Sequence, residues 1–85
     1  MLNQDIVVAQ IRNFLIRQFP ATKNVTNDEP LLNNGLIDSL GILEVVAFIE
    51  KKFEIAVADE DLLPENFGSV RSLSNFVGQK TNGTT

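Results

Sequence analysis

Between Gly35 and Phe53 the chain reads GLIDSLGILEVVAFIEKKF, a glycine-containing turn that leads directly into an apolar-periodic segment. The apolar positions that repeat at helical spacing form one stripe, which consists of Ile42, Val45, Val46, Ile49 and Phe53. Asp38 and Ser39 precede this pattern, and their side-chain oxygens are suited to satisfying the free amides of a first helical turn. The stretch therefore predicts an amphipathic helix that begins at Asp38 or Ser39 and ends at Phe53.

A second apolar row runs beside that stripe and consists of Leu40, Leu43 and Ala47. A helix in a small bundle rarely buries so much of its circumference, so we expect part of this row to stay exposed. Glu44 and Glu50 accompany the row. The alternative interpretation is that Leu43 and Ala47 belong to the core and that the two glutamates are merely solvated.

The segment before this helix contains one further helix and a long connection. Apolar residues recur at helical spacing from Asn3 to Phe19, and Pro20 ends the pattern. The connection from Pro20 to Asp38 is unusually long for a compact domain, and such loops are usually functional or anchored. Its apolar residues are the predicted anchors to the bundle, namely Leu31, Leu32, Leu36 and Ile37.

The segment after this helix is predicted to contain two more helical pieces. The acidic stretch Asp59–Leu63 is interpreted as a single turn that Pro64 stops, and it depends on tertiary packing because one turn is unstable alone. The last helix starts after Gly68, with Ser69 as its N-cap. It buries an apolar set that consists of Val70, Leu73, Phe76 and Val77.

Together these elements predict an all-α fold, a small four-helix bundle with a long first loop and a short third helix. With 85 residues the chain forms one domain. We expect the bundle to occupy residues 1–78 and residues 79–85 to form a flexible polar tail.

The composition excludes several classes of function. The chain has no His, Cys, Trp or Tyr, so the usual nucleophile–base pairs cannot be assembled and an independent enzyme is disfavoured. The absence of cysteine fits a cytoplasmic protein in a reducing environment. The run Asp59-Glu60-Asp61 lacks the spacing of a calcium loop and is interpreted as a helix start, so we predict no metal site. The net charge of −4 argues against nucleic acid, and polar residues within the apolar N-terminal segment argue against stable membrane insertion.

The combination of motifs from residue 3 to residue 78 resembles the acyl carrier protein family, including its peptidyl and D-alanyl carriers. The motifs that carry the likeness are GLIDSL at 35–40, Glu44, Glu50 and Phe53 on the following helix, and FGSV at 67–70. The resemblance implies that the Ser39 hydroxyl receives the 4′-phosphopantetheine arm of coenzyme A from a magnesium-dependent phosphopantetheinyl transferase. It also implies that Asp38 is the acidic neighbour that this transferase recognises.

The expected site suits such an arm. A helix N-terminus stabilises the negative charge of a phosphodiester, and the terminal thiol of the arm would supply the nucleophile that the chain lacks. The protein would then be a monomeric shuttle for acyl or aminoacyl thioesters and not an enzyme. Its expected partners are the transferase, an acyl- or aminoacyl-activating ligase, and a downstream acyltransferase or synthase. The predicted docking surface for them consists of Leu40, Leu43, Glu44, Ala47 and Glu50.

Departures from the commonest family patterns favour a discrete carrier of a specialised pathway. Lys51 and Lys52 follow Glu50, and Arg71 lies in the last helix, unlike the strongly acidic carriers typical of bacterial fatty acid synthesis. Residues 36–39 read LIDS and do not match the Gly-Gly-His-Ser or Gly-Gly-Asp-Ser of carriers embedded in large synthetases. The remaining option is a free-standing carrier that a dedicated adenylate-forming ligase loads, in a lipid, peptide or D-alanyl pathway.

An alternative from another class is a small helical interaction module without a prosthetic group. Asp38 and Ser39 would then be helix caps only, and the exposed row would bind a partner helix. Such a module would be insensitive to Ser39→Ala, whereas a carrier would lose its function. A helix-turn-helix DNA reader is disfavoured by the acidic charge.

If the chain is a carrier, we also predict that it encloses the acyl chain between the second helix and residues 55–63, which would shield the thioester from water. The apolar residues expected to line that space are Ile49, Ile55, Val57, Leu62 and Leu63.

Overall fold

The computed structural model describes residues 4–32 and 35–82, with the side chains of Ser39 and Asn82 excepted. Within these ranges the chain is helical and has no strand. Its elements are α1 Gln4–Gln18, a first 3₁₀ turn Pro20–Thr22, α2 Ser39–Phe53, a second 3₁₀ turn Asp59–Asp61, α3 Pro64–Phe67 and α4 Val70–Asn82. The predicted all-α class, with four helices and a short third helix, is therefore confirmed. The predicted first residue of the first helix, Asn3, lies outside the described residues.

Helix α2 has the bounds that its apolar periodicity predicts. Asp38 is its N-cap in an extended conformation, and its Oδ1 accepts a hydrogen bond from the Gly41 amide at 2.8 Å. At the other end Glu54 adopts the left-handed conformation, with φ of 56°. That conformation is usually occupied by glycine, which has no Cβ to clash with the backbone.

The core is a single cluster to which α1, α2, α3, α4 and the long loop all contribute. Its apolar members are Val7, Ile11, Leu15, Val25, Leu31, Ile37, Val45, Ile49, Phe53, Phe67, Val70, Leu73, Phe76 and Val77. At its edge Phe14 of α1 stacks on Phe48 of α2, with ring centroids 4.1 Å apart and planes 11° apart. This stacked pair joins the first two helices beside the core.

The long loop is anchored, as its apolar residues predict. Leu31 and Ile37 are almost completely buried, whereas Leu32 and Leu36 are half-buried. The Leu31 amide donates to the Gly68 carbonyl at 2.7 Å, and the Ile37 amide donates to the Leu31 carbonyl at 3.2 Å. These contacts fix the end of the loop that delivers the chain to the start of α2.

The third helical region differs from the predicted single turn. The 3₁₀ turn ends at Asp61, and Pro64 begins α3 instead of stopping a helix. Proline suits the first position of a helix because its fixed φ is already helical and the missing amide has no intrahelical acceptor there. The prediction was wrong because it considered only the effect of proline inside a helix.

Helix α4 continues past Gln79 to Asn82, into the segment predicted to be a polar tail. Ser69 caps its start as predicted, because its Oγ accepts the Ser72 amide at 3.1 Å. Near its end, Thr81 Oγ1 donates to the Val77 carbonyl at 3.0 Å. In the described part of the chain, no helix is long and apolar enough to cross a membrane.

Candidate functional site

The long loop ends at Asp38, so that Asp38 and Ser39 lie at the start of α2. Asp38 is exposed and caps the first turn, and the backbone of Ser39 is the first residue of the helix. The amides of a first helical turn have no intrahelical acceptors, so this end of a 15-residue helix is suited to an anionic group. The side chain of Ser39 lies outside the described atoms.

Gly41 fixes the position of this first turn. It is buried, and a Cβ at Gly41 would lie 2.8 Å from Ile37 Cγ2 and 2.9 Å from Phe19 Cε1. At Gly41 the helix therefore lies closer to the loop and to Phe19 than a residue with a Cβ would allow. Gly41 is not among the residues predicted from the sequence, although a glycine inside the first turn of an apolar helix is a signal of close packing.

The second apolar row of α2 is exposed, as predicted. Leu40 and Leu43 are 72% and 58% exposed, and Ala47 is exposed as well. Glu44 is exposed beside them, and its Oε1 accepts a hydrogen bond from Gln18 Nε2 at 2.8 Å. The row and Glu44 therefore form one accessible strip along α2.

Glu50, the other carboxylate of the predicted docking surface, has a partner within the protein. Its side chain is half-buried, and Oε2 accepts the amide of Val57 at 2.9 Å. This hydrogen bond ties the connector after α2 to the helix. Glu50 is thus less available to a partner than Glu44 is.

An open, mostly apolar cleft of about 570 Å³ lies beside the start of α2. We call one side the near wall, formed by Ile37, Asp38, Ile42 and Leu43, and the opposite side the far wall, formed by Leu62, Leu63, Pro64 and Phe67. Leu32 and Gly35 complete the lining. Asp38 directly precedes Ser39, so the cleft lies close to the predicted attachment point.

The cleft corrects part of the predicted lining for an acyl chain. Leu62 and Leu63 line it, as predicted, but Ile49, Ile55 and Val57 do not. Ile49 is fully buried in the core, and the other two pack against the core. The stripe of α2 that contains Ile49 faces the other helices, so the space open to a ligand lies nearer the helix start.

A group of polar contacts holds the far wall at the second 3₁₀ turn. Asp61 Oδ2 accepts the Ala58 amide at 3.0 Å and forms an ion pair with Lys80 Nζ at 3.0 Å. The Asp61 carbonyl accepts Asn66 Nδ2 at 2.9 Å. The hydrogen bond from Ala58, followed by the contacts of Lys80, holds the pKa of Asp61 below its ordinary value. Among the described residues, no group of three or more Asp, Glu, His or Cys side chains is arranged to hold a metal ion.

The site fits a phosphodiester-linked arm with an apolar cargo. A phosphodiester at the start of α2 would face the positive end of the helix dipole, with Asp38 already occupied by the Gly41 amide. The adjacent cleft offers apolar side chains from two separate elements. Such an arrangement suits a carrier site, where a group is held and presented.

Comparisons with known proteins identify the family of this carrier. Residues 9–77 match the family described as "Phosphopantetheine attachment site". The chain is also 35% identical over 72 residues to the "Acyl carrier protein homolog" of Mycoplasmopsis pulmonis (strain UAB CTIP), an alignment that covers 84% of this chain and 96% of that protein. The chain therefore belongs to the acyl carrier protein family.

Membership of the family settles three of the expectations from sequence. The cofactor is 4′-phosphopantetheine, which is attached covalently. The chain is a carrier and not an enzyme, and its partners in general are transferases and synthases.

Proposed function

We propose that Ser39 is the attachment point of the 4′-phosphopantetheine arm and that Asp38 is the neighbour by which the transferase recognises it. The observation that carries this proposal is the position of Ser39, which opens α2 directly after Asp38, a residue that lines the apolar cleft. The arm supplies a terminal thiol that holds cargo as a thioester. The chain supplies the helix terminus that stabilises the phosphodiester and the cleft that receives the cargo.

The cargo that suits this cleft is an acyl chain. Apolar side chains from both walls can cover a hydrocarbon, whereas the ammonium group of an aminoacyl cargo would lose hydration there without a compensating partner. The near wall has residues on both sides of Ser39 in the sequence, so a cargo that folds back along the arm can reach Ile42 and Leu43. We therefore favour acyl thioesters over aminoacyl thioesters.

The surface proposed for partner docking is the exposed strip of Leu40, Leu43, Glu44 and Ala47, with Glu50 contributing less. An apolar centre with a carboxylate edge suits a partner whose active-site entrance has apolar and basic residues. The specific partners proposed are a phosphopantetheinyl transferase, a dedicated adenylate-forming ligase and a downstream acyltransferase or synthase. The strip lies on the helix that Ser39 opens, so a partner bound to it is close to the arm.

We further propose that the carrier serves a specialised pathway and not housekeeping fatty acid synthesis. Lys51 and Lys52 make the end of α2 less acidic than in carriers of bacterial fatty acid synthesis, and both are exposed. The expected cytoplasmic location, monomeric state and domain limits (a carrier domain over residues 1–78 and a tail over 79–85) stay predictions, and residues 79–82 of that predicted tail are helical in α4.

The intact mass tests the attachment point directly. After incubation with coenzyme A, magnesium and a broad-specificity phosphopantetheinyl transferase, the wild type should gain the mass of one phosphopantetheine group. Ser39→Ala should gain none while keeping a helical circular dichroism spectrum. Ser72→Ala is the matched control, because Ser72 is a serine in the first turn of α4, and it should be loaded like the wild type.

If folded wild-type protein gained no mass with several transferases, the carrier proposal would be contradicted. The interaction module without a prosthetic group would then be the better account of the exposed strip on α2.

A further inference from the structure

The two walls of the cleft are attached to different parts of the bundle. The near wall belongs to α2 and to the loop that the core anchors. The far wall consists of Leu62 and Leu63, which follow the second 3₁₀ turn, and of residues of α3. Helix α3 packs against α4, and Asp61 of the turn forms an ion pair with Lys80 of α4. The distance between the walls therefore depends on how firmly the far wall is held to α4.

Lys80 is the side chain of α4 that ties down the exposed part of the far wall. Its ammonium reaches Asp61, which directly precedes Leu62, and the Leu63 amide donates to the Asp61 carbonyl at 2.8 Å. A movement of Asp61 therefore moves both leucines of the far wall. Leu62 and Leu63 are 37% and 42% exposed, so apolar burial alone does not fix them.

The inner part of the far wall is linked to the same lysine through aromatic rings. Lys80 Nζ lies 5.6 Å from the centroid of the Phe76 ring, a distance at which a cation is attracted to the ring face. The Phe76 ring lies 5.4 Å from the ring of Phe67, centroid to centroid. Phe67 lines the cleft and is almost completely buried.

From this geometry we propose that Lys80 and Asp61 are positioning residues that determine the cargo specificity of the cleft. The ion pair holds Leu62 and Leu63 against the space beside α2, so that a medium-length acyl chain is covered on both sides. A two-carbon acyl group has little apolar surface to bury against the far wall, so its retention should not depend on the pair. This inference rests on the proposed function, because it takes the cargo to be an acyl thioester on Ser39.

The first experiment uses the protein without phosphopantetheine and does not depend on the proposed function. Lys80→Met removes the ammonium and keeps an apolar stem over Phe76. We expect amide hydrogen exchange at Leu62 and Leu63 to become roughly two- to five-fold faster, the range expected for loss of one partly exposed ion pair. Lys80→Arg keeps the charge and should exchange like the wild type.

The second experiment uses protein that carries an acyl group on its phosphopantetheine and measures thioester hydrolysis. In this reaction water attacks the thioester carbonyl and releases the carboxylic acid and the free thiol of the phosphopantetheine. In Lys80→Met, decanoyl thioester should hydrolyse roughly two- to five-fold faster than in the wild type, while acetyl thioester should be unchanged. A general loss of stability would accelerate both. The dependence on chain length therefore distinguishes a positioning role from a merely structural one.

Arg71→Met is the matched control for both experiments. Arg71 also lies on α4 and forms an ion pair with a loop residue, Asp28, and hydrogen bonds to Asp28 raise the pKa of the Arg71 guanidinium. Neither residue lines the cleft beside α2. The control should match the wild type at Leu62 and Leu63 and in decanoyl hydrolysis.

The outcomes separate this inference from the proposed function. Unchanged exchange at Leu62 and Leu63 in Lys80→Met overturns the inference, and so does equal acceleration of acetyl and decanoyl hydrolysis. Faster exchange with unchanged decanoyl hydrolysis overturns the link to cargo. A protein that accepts no phosphopantetheine contradicts the proposed function, while the hydrogen-exchange experiment still decides whether Lys80 holds the far wall.

Discussion

The near wall of the cleft is formed by the anchored loop and by a 15-residue helix whose inner stripe is buried in the core, whereas the far wall is formed by two leucines that follow a 3₁₀ turn and by a four-residue helix. The near wall is held by Val45, Ile49 and Phe53 on the same helix. The exposed part of the far wall is held by an ion pair and a few hydrogen bonds around Asp61. Local stability follows the number of buried apolar contacts, so the two walls should differ in mobility.

This difference suits a carrier. The proposed attachment point and the proposed docking strip both lie on the helix that the core holds, which keeps one geometry for a partner. The wall proposed to meet the cargo is built from the weaker element, which can adjust to it. The following substitutions test this contrast between a wall held by the core and a wall whose exposed part is held by polar contacts.

The largest expected effect is the loss of stability when the inner stripe of α2 is truncated. Ile49→Ala should lower the free energy of unfolding by about 2–5 kcal/mol, because it leaves a cavity in a close-packed core. Leu43→Ala, on the same helix but 58% exposed, should change it by about 0.5 kcal/mol or less. Urea denaturation measures both, and equal losses would contradict the assignment of the two faces of α2.

Leu43→Ala should instead impair partner reactions. If Leu43 is a docking contact, the kcat/KM of the transferase for the modification of Ser39 should fall roughly five-fold or more in this variant. A variant that is loaded as fast as the wild type would show that the transferase does not use this part of the strip.

A smaller effect is expected from filling the space at Gly41. Gly41→Ala should lower the free energy of unfolding by about 1 kcal/mol or more, because its Cβ would overlap Ile37 and Phe19 and this overlap outweighs the better helix propensity of alanine. In Gly78→Ala on α4 the Cβ would meet only the flexible end of Gln4, at 3.3 Å. Gly78→Ala should therefore raise the free energy of unfolding by about 0.5–1 kcal/mol.

The opposite signs of these two glycine substitutions are the expected result in thermal or urea denaturation. If Gly41→Ala also stabilised the protein, the close approach of α2 to the loop would not restrain the start of the helix.

The parts of the fold that the sequence predicted are those governed by apolar periodicity and capping. The bounds of α2, the anchoring of Leu31 and Ile37, and the cap at Ser69 all follow from local patterns. The exposure of Leu40 and Leu43 also follows, since a helix in a small bundle cannot bury its whole circumference.

The parts that the sequence did not predict depend on contacts between distant residues or on exceptions to local preference. Pro64 starts a helix, and Glu54 takes a conformation that usually selects glycine. The pairing of Asp61 with Lys80 requires knowledge of how α4 packs. The cleft was expected too far along α2, because Ile49 could not be recognised as core until the positions of the other helices were known.

The central question is whether cargo carried on Ser39 lies between the two walls. The most direct measurement compares backbone amide shifts of ¹⁵N-labelled protein in the holo form and in the decanoyl form. We predict the largest shift changes at Ile42, Leu43, Leu62, Leu63 and Phe67, which belong to both walls. Unchanged shifts at these residues, with changes confined to the first turn of α2, would contradict the account.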